Sequence, residues 1–289
     1  MKRLALPRQI GTTLSHSLHN QAVWGREAGS CEEIVLQVEK ESAAGISDQH
    51  KPFPSLDGEP VKLRTNAAFP LLVDPEQRAA AEYFGVLRAR LLNARSKSNI
   101  CTLVITSPQM QDGKTFTSVN LAISLAQLQQ LRILLVDGDL RLRGITRTLD
   151  LEQNAGLADF LQRLAPFEEC VKATTLSHLY VASAGNVTDE SLPAILEGIR
   201  WPEFLQRAKQ EFDLVIVDSV PVSAPVADFE LLLNACDAAL LVVHVRKTTR
   251  DAMDCAANRM QGKLLGVVVN NKEPRADSYG YSPYNGKKG

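Results

Sequence analysis

The 289-residue chain predicts an α/β fold in three layers, a largely parallel sheet with helices on both faces, preceded by a poorly structured N-terminal region. Six short apolar runs alternate with helix-like stretches from about residue 100 onward, the pattern of successive βαβ units. Most of those runs are continuously apolar rather than alternating, as strands covered on both faces should be. The first run leads straight into Gly113-Lys114-Thr115, the end of a phosphate-binding loop, so the predicted class is the P-loop NTPase type.

Residues 1–73 mix Gly, Ser, His and Pro, with Pro52, Pro54, Pro60 and Pro70 clustering late, and read as mostly irregular. Within them EEIVLQVEKE, residues 32–41, can form a helix or an edge strand that docks elsewhere. From Asp74 the texture changes. Asp74 caps a helix with Pro75 at its first position, and Ala81, Phe84, Leu87, Leu91 and Leu92 recur at helical spacing. The strand candidates are ICTLVITS from Ile100, RILLVDGD from Arg132, HLYVASAG from His178, FDLVIVDS from Phe212, AALLVVHV from Ala238 and LLGVVVNN from Leu264. Helices are expected between them at Thr115 to Gln130, Gly156 to Leu164, Pro202 to Glu211, Asp228 to Asn234 and Thr249 to Met260. The domain therefore spans 74–273, and 274–289 forms a flexible tail.

A hydrophobic content of 45% suits one sizeable core with a smaller region left over. A formal charge of −1 gives no general attraction to nucleic acid or anionic lipid, and no nucleic-acid partner is expected. Cys31, Cys101, Cys170, Cys236 and Cys255 are scattered without C-x-x-C spacing, which argues against a zinc site or a disulfide framework. No apolar run approaches a membrane span, so the expected location is cytoplasmic with only indirect membrane contact. The first strand is followed by no G-x-G-x-x-G, and Ser183 and Ser219 lack the G-x-S-x-G elbow, which sets aside dinucleotide oxidoreductases and α/β hydrolases.

The chemistry concentrates at strand ends. Backbone N–H groups at a helix start cradle phosphates, Lys114 reaches the β/γ oxygens, and the Thr115 hydroxyl ligates Mg2+. Pro108 stands where the first glycine of such a loop is expected. ILLVDGDLR places Asp137 and Asp139 at the carboxyl end of the second core strand, and DLVIVDS does the same with Asp218, the edge where open α/β sheets bind ligands. Carboxylates after buried apolar residues are costly in a core and useful beside a metal ion. Phosphoryl transfer needs positioning and charge neutralisation. Asp137 is accordingly the candidate base, Asp218 a metal holder through water, and Asp139 a second carboxylate near the acceptor. Arg141 and Arg143 either stabilise developing charge or pair with Asp139.

In this order, E-x-x-x-x-L-R, ITS…GKT…NLA, ILLVDGDLR, GLADFL, FDLVIVDS, LLVVHVRKTTR and GVVVNN resemble the bacterial tyrosine autokinases of capsule and exopolysaccharide synthesis, the CpsD/CapB type, over about residues 78–284. The resemblance implies that Gln111, Asp112, Gly113, Lys114, Thr115 and Phe116 bind ATP together with Arg141. Asn270 matches the position where related P-loop ATPases read the adenine edge. Thr115, Asp137 and Asp218 would hold Mg2+, and Lys114, Asp137, Asp139 and Asp218 would be the catalytic set. The acceptors would be Tyr279, Tyr281 and Tyr284, three of the chain's five tyrosines, phosphorylated in trans within a homo-oligomer. The resemblance further implies an activating transmembrane polysaccharide co-polymerase, a place at the inner face of the cell membrane through that partner, and control of exopolysaccharide chain length or export.

The chain departs from the family pattern at Met110-Gln111, where Pro-Gly is usual, and at Gly85, where the first arginine of E-x-x-R-x-x-R is usual; Glu82 and Arg88 remain. Two other functions fit parts of the pattern. A ParA/MinD-like ATPase carries a lysine where Gln109 stands here. A non-catalytic, ATP-gated regulatory subunit of the co-polymerase would keep the nucleotide site without transferring phosphate.

Overall fold

The computed structural model describes residues 59–64, 69–151, 154–187, 192, 195, 200–224, 228–260 and 262–270. Seven strands form one sheet: β1 (Thr102–Thr106), β2 (Ile133–Asp137), β3 (Val171–Ala173), β4 (Leu179–Ala182), β5 (Leu214–Asp218), β6 (Ala238–His244) and β7 (Leu264–Asn270). Their spatial order is β3-β4-β2-β5-β1-β6-β7, and every pairing is parallel except that of β3 with β4. All six runs read as strands in the sequence are strands here.

Alternate residues of a strand feed opposite cores, which is why the runs are apolar throughout. Leu103, Ile105, Ile133, Leu135, Leu214 and Ile216 pack on one face with α1 (Arg78–Ser98), α2 (Lys114–Ala126) and α3 (Gly144–Thr148). Val104, Leu134, Val136, Val215 and Val217 pack on the other, with α4 (Leu157–Leu161), α6 (Arg200–Glu211), α7 (Asp228–Ala235) and α8 (Arg250–Arg259). Beside α4, the short α5 (Phe167–Cys170) contributes Phe167, whose ring centroid lies 5.1 Å from that of Phe204, itself fully buried.

Asp74 starts the first helical segment as its Asp-Pro sequence predicts, its carboxylate accepting from the Glu76 N–H at 3.0 Å. Arg95 ties the end of α1 to the sheet by donating to the carbonyls of Ile100 (3.0 Å) and Asp213 (2.9 Å). Arg88 is engaged within the chain, donating to the Ser124 carbonyl at 2.6 Å on α2. Gly85 is not sterically required, since a Cβ there would meet nothing nearer than 4.0 Å.

Three short elements were not legible. β3 has three residues, too few to show a period, and α3 and α5 are single turns that propensity does not reveal. Val61 lies against β3, its N–H donating to the Ala173 carbonyl and its own carbonyl accepting from Thr175, both at 2.9 Å. Leu71 is fully buried, and the Asn120 side chain accepts from the Leu72 N–H at 2.9 Å. Residues 32–41 and the tail 274–289 lie outside the described residues.

Asp237, just before β6, anchors the start of β1. Its carboxylate accepts from the N–H groups of Cys101 (2.9 Å) and Thr102 (2.8 Å) and from Lys209 Nζ (2.8 Å). Although partial burial opposes its charge, these donors hold its carboxyl below the usual range. Replacing Asp237 with Ala is expected to cost about 1–2 kcal/mol, discounted for its partial exposure, as read by urea unfolding.

Burial pushes the Cys170 and Cys236 thiols up to about 12, so both are inert packing groups. Among the described residues no helix is long and apolar enough to cross a membrane.

Candidate phosphate and metal site

β1 lies inside the sheet between β5 and β6 and delivers the chain into the loop Ser107–Gly113. Gly113 adopts φ +97, which favours glycine, and a Cβ there would fall 1.9 Å from Asn270 Nδ2 and displace that side chain. Asn270, at the end of β7, donates to the Asp112 carbonyl at 3.1 Å. The buried Asp112 carboxylate accepts from the Gln109 N–H at 3.0 Å and closes the turn, while its Oδ1 has no hydrogen-bond partner. Gln111 takes φ +64, a left-handed conformation in a residue with a side chain.

Three carboxylates meet where this loop enters α2. Asp137 and Asp218 are register partners on the adjacent strands β2 and β5, and the turn after β2 brings in Asp139; all three are fully buried. Lys114 Nζ lies 3.0 Å from Asp139 Oδ2 and 4.0 Å from Asp218 Oδ2. Thr115 Oγ1 donates to Asp218 Oδ2 at 2.6 Å. Gly144, at the start of α3, packs on Thr115 so closely that a Cβ would reach its Oγ1 at 2.8 Å.

The electrostatics follow from burial. It pushes the Asp137 carboxyl up to about 7, reinforced by the neighbouring Asp218 charge. Asp218 is raised for the same reason, against the pull of Lys114. Lys114 holds its proton more tightly than an ordinary lysine: burial works against it, and the charges of Asp218 and Asp139 prevail. Asp137 Oδ2 accepts from the N–H and hydroxyl of Thr146 at 2.8 and 2.7 Å, whereas its Oδ1 has no partner.

An orphaned, buried carboxylate oxygen beside a surplus of negative charge fits a divalent cation. Thr115, Asp137 and Asp218 are the groups that would hold it, at least partly through water. Among the described residues no cluster of three or more His, Cys, Asp or Glu side chains is arranged to ligate a metal by itself. A Mg2+ ion here would neutralise charge on a phosphoryl group.

The structure brings together Gln111, Asp112, Gly113, Lys114, Thr115, Asp137, Asp139, Asp218 and Asn270. One of the two alternatives for Arg141 is corrected. Arg141 does not pair with Asp139: Asp139 is taken by Lys114, and Arg141 Nε bonds Asp228 Oδ2 at 2.9 Å, at the start of α7. The Phe116 ring packs edge-on against Phe69 and Phe84, at 5.6 and 6.0 Å. Tyr279, Tyr281 and Tyr284 lie outside the described residues.

Sequence reading missed Ser118, Thr146 and Lys247. The Ser118 hydroxyl lies 3.1 Å from Asp218 Oδ1, and its position four residues after Lys114 on a helix was an available signal. Thr146 grips Asp137 across nine residues, and Lys247 reaches the loop across more than a hundred; neither contact leaves a local pattern.

Residues 110–256 match the family model of an AAA domain. The tyrosine-protein kinase YwqD of Bacillus subtilis (strain 168) is 32% identical over 206 residues, 70% of this chain and 85% of that protein. The tyrosine-protein kinase CpsD of Streptococcus agalactiae serotype III (strain NEM316) is 29% identical over 216 residues, 72% of this chain and 91% of that protein. Among solved structures, the kinase domain of the Escherichia coli tyrosine kinase ETK is similar with a TM-score of 0.65 at 28% identity, covering 73% of this chain and 85% of that one. The chimerical protein CapA2B2 has a TM-score of 0.66 at 22% identity, covering 75% and 95%, a likeness of fold alone.

Proposed function

Because the chain belongs to the bacterial tyrosine-protein kinase family, we propose that it binds Mg·ATP at this site and phosphorylates Tyr279, Tyr281 and Tyr284 in the tail of a neighbouring copy. The observation that carries this reading is the register pairing of Asp137 with Asp218 beside Lys114 and Asp139. One loop, one lysine and three carboxylates from separate stretches of the chain converge on a volume suited to a phosphoryl group. The loop N–H groups and Lys114 hold the phosphates in line with the incoming phenol. Asp137, whose carboxyl sits at about 7, accepts the phenolic proton, and Asp139 orients Lys114. Thr115, Asp137 and Asp218 would hold the metal ion, which would neutralise phosphate charge, and Asn270 would contact the base.

By family, the protein would act at the inner face of the cell membrane as a homo-oligomer. A transmembrane polysaccharide co-polymerase would activate it, and the cycle would control exopolysaccharide chain length or export. The test is to incubate the purified protein with Mg·ATP, with and without the cytoplasmic segment of that membrane protein, and map phosphotyrosine by mass spectrometry. Phosphate on the three tail tyrosines is expected. ATP binding with no phosphotyrosine under either condition would overturn the kinase reading in favour of an ATP-gated regulatory subunit. ATP-dependent DNA or membrane association would favour a ParA/MinD-like ATPase.

A further inference from the structure

We infer that Lys247 is a positioning residue for the phosphate-binding loop, supplying here the order that a glycine at position 111 would otherwise make unnecessary. The inference rests on reading the loop as an ATP site. Gln111 holds φ +64, which costs a residue with a Cβ about 1 kcal/mol and persists only if its surroundings enforce it. The enforcing contact comes from the far side of the chain. Lys247 Nζ donates to the Met110 carbonyl at 3.0 Å and to Gln111 Oε1 at 3.2 Å. A glycine would offer no side chain for the second bond, so Gln111 and Lys247 form a matched pair.

The turn that presents Lys247 is closed by its own hydrogen bonds. It follows β6, and the N–H groups of Lys247 and Thr248 both donate to the His244 carbonyl, at 3.2 and 3.0 Å. Thr248 Oγ1 accepts from the His244 N–H at 2.9 Å. Because β6 pairs directly with β1, this turn stands in fixed relation to the loop that leaves β1. At the other end of the loop Asn270 holds the Asp112 carbonyl.

The two clamps act through peptide geometry. In a trans peptide the C=O and N–H point in opposite directions. Holding the carbonyls of Met110 and Asp112 toward the clamps therefore aims the N–H groups of Gln111 and Gly113 the other way, as a phosphate cradle requires. Without Lys247, Gln111 is free to relax to negative φ, and the Gln111 N–H turns with it.

Two readouts separate this inference from the kinase reading. In nucleotide-free protein, Lys247→Met should accelerate amide hydrogen exchange at Gln111 to Thr115 while leaving the melting temperature unchanged, and Lys247→Arg should restore protection. In the kinase assay, Lys247→Met should raise KM for ATP about five- to tenfold, the scale of one charged hydrogen bond at an exposed site, with kcat within about twofold. Gln111→Gly combined with Lys247→Met should show a much smaller rise in KM than Lys247→Met alone, because glycine adopts the left-handed geometry unaided.

Unchanged loop exchange in Lys247→Met overturns the inference even in an active kinase. A fall in kcat with KM unaltered also overturns it, and assigns Lys247 to the transferring phosphoryl group. Accelerated exchange in a protein that binds no ATP would uphold the clamp and sink the kinase reading.

Discussion

Lys114→Met is expected to abolish tail phosphorylation and, in the same protein, to lower thermal stability. The catalytic loss follows from position: Lys114 is the one cation within 4.0 Å of both Asp139 and Asp218 among the described residues, at the start of the helix that receives the phosphates. Removing a preorganised donor of this kind costs about 10²–10³-fold in rate even where other groups remain. The stability loss has a different origin. Methionine leaves three buried carboxylates with no compensating ammonium, and breaking a buried ion pair from one side costs about 3–5 kcal/mol. Calorimetry in EDTA should show the deficit, and added Mg2+ should recover part of it. An unchanged melting temperature would mean that the carboxylates are not charged together, and the electrostatic account of the site would fail.

Asp137→Asn should move activity and stability in opposite directions. Removing the candidate base is expected to slow phosphorylation about 10²–10⁴-fold. The nucleotide-free protein should meanwhile become more stable at neutral pH. Asparagine keeps an oxygen for the two Thr146 donors, and its neutral amide puts no buried charge beside Asp218. The sign with pH follows from linkage. The carboxyl titrates at about 7 when folded and near 3.9 when unfolded, so the folded state binds the extra proton. Wild-type stability therefore declines as pH rises from about 4 through about 7, and the variant does not share that decline. The gain should approach about 4 kcal/mol above pH 7 and vanish below about pH 4. A gain that is equal at all pH values would show that Asp137 is not the titrating group.

The strands and the loop were legible because each is written in consecutive residues. Val, Ile and Leu buried on both faces leave unbroken apolar runs, and Gly113-Lys114-Thr115 sits directly after one of them. The carboxylates were legible as strand ends, but their mutual arrangement was not. Chain order places Asp137 and Asp218 81 positions apart, and only the sheet order makes them register partners. The same limit explains Arg141, which sequence proximity assigned to Asp139 although Asp228 holds it from α7. Phe116 lies in the motif, yet its ring serves the packing of α1 against α2. β3 and the clamp from Lys247 depend entirely on contacts between distant segments.

The insertion of β5 between β1 and β2 has a consequence for how this protein comes into being. On an emerging chain β1 is made early, but both of its sheet neighbours, β5 and β6, begin more than a hundred residues later. Until they leave the ribosome β1 has no strand to pair with, and Thr115 and Lys114 have no Asp218. Such a topology delays folding until its long-range pairings can close. The three carboxylates around Lys114 are thus assembled only after β5 has been made, and Asn270 arrives only at the end of β7, so a truncated chain ending before β5 would carry the loop motif without the site.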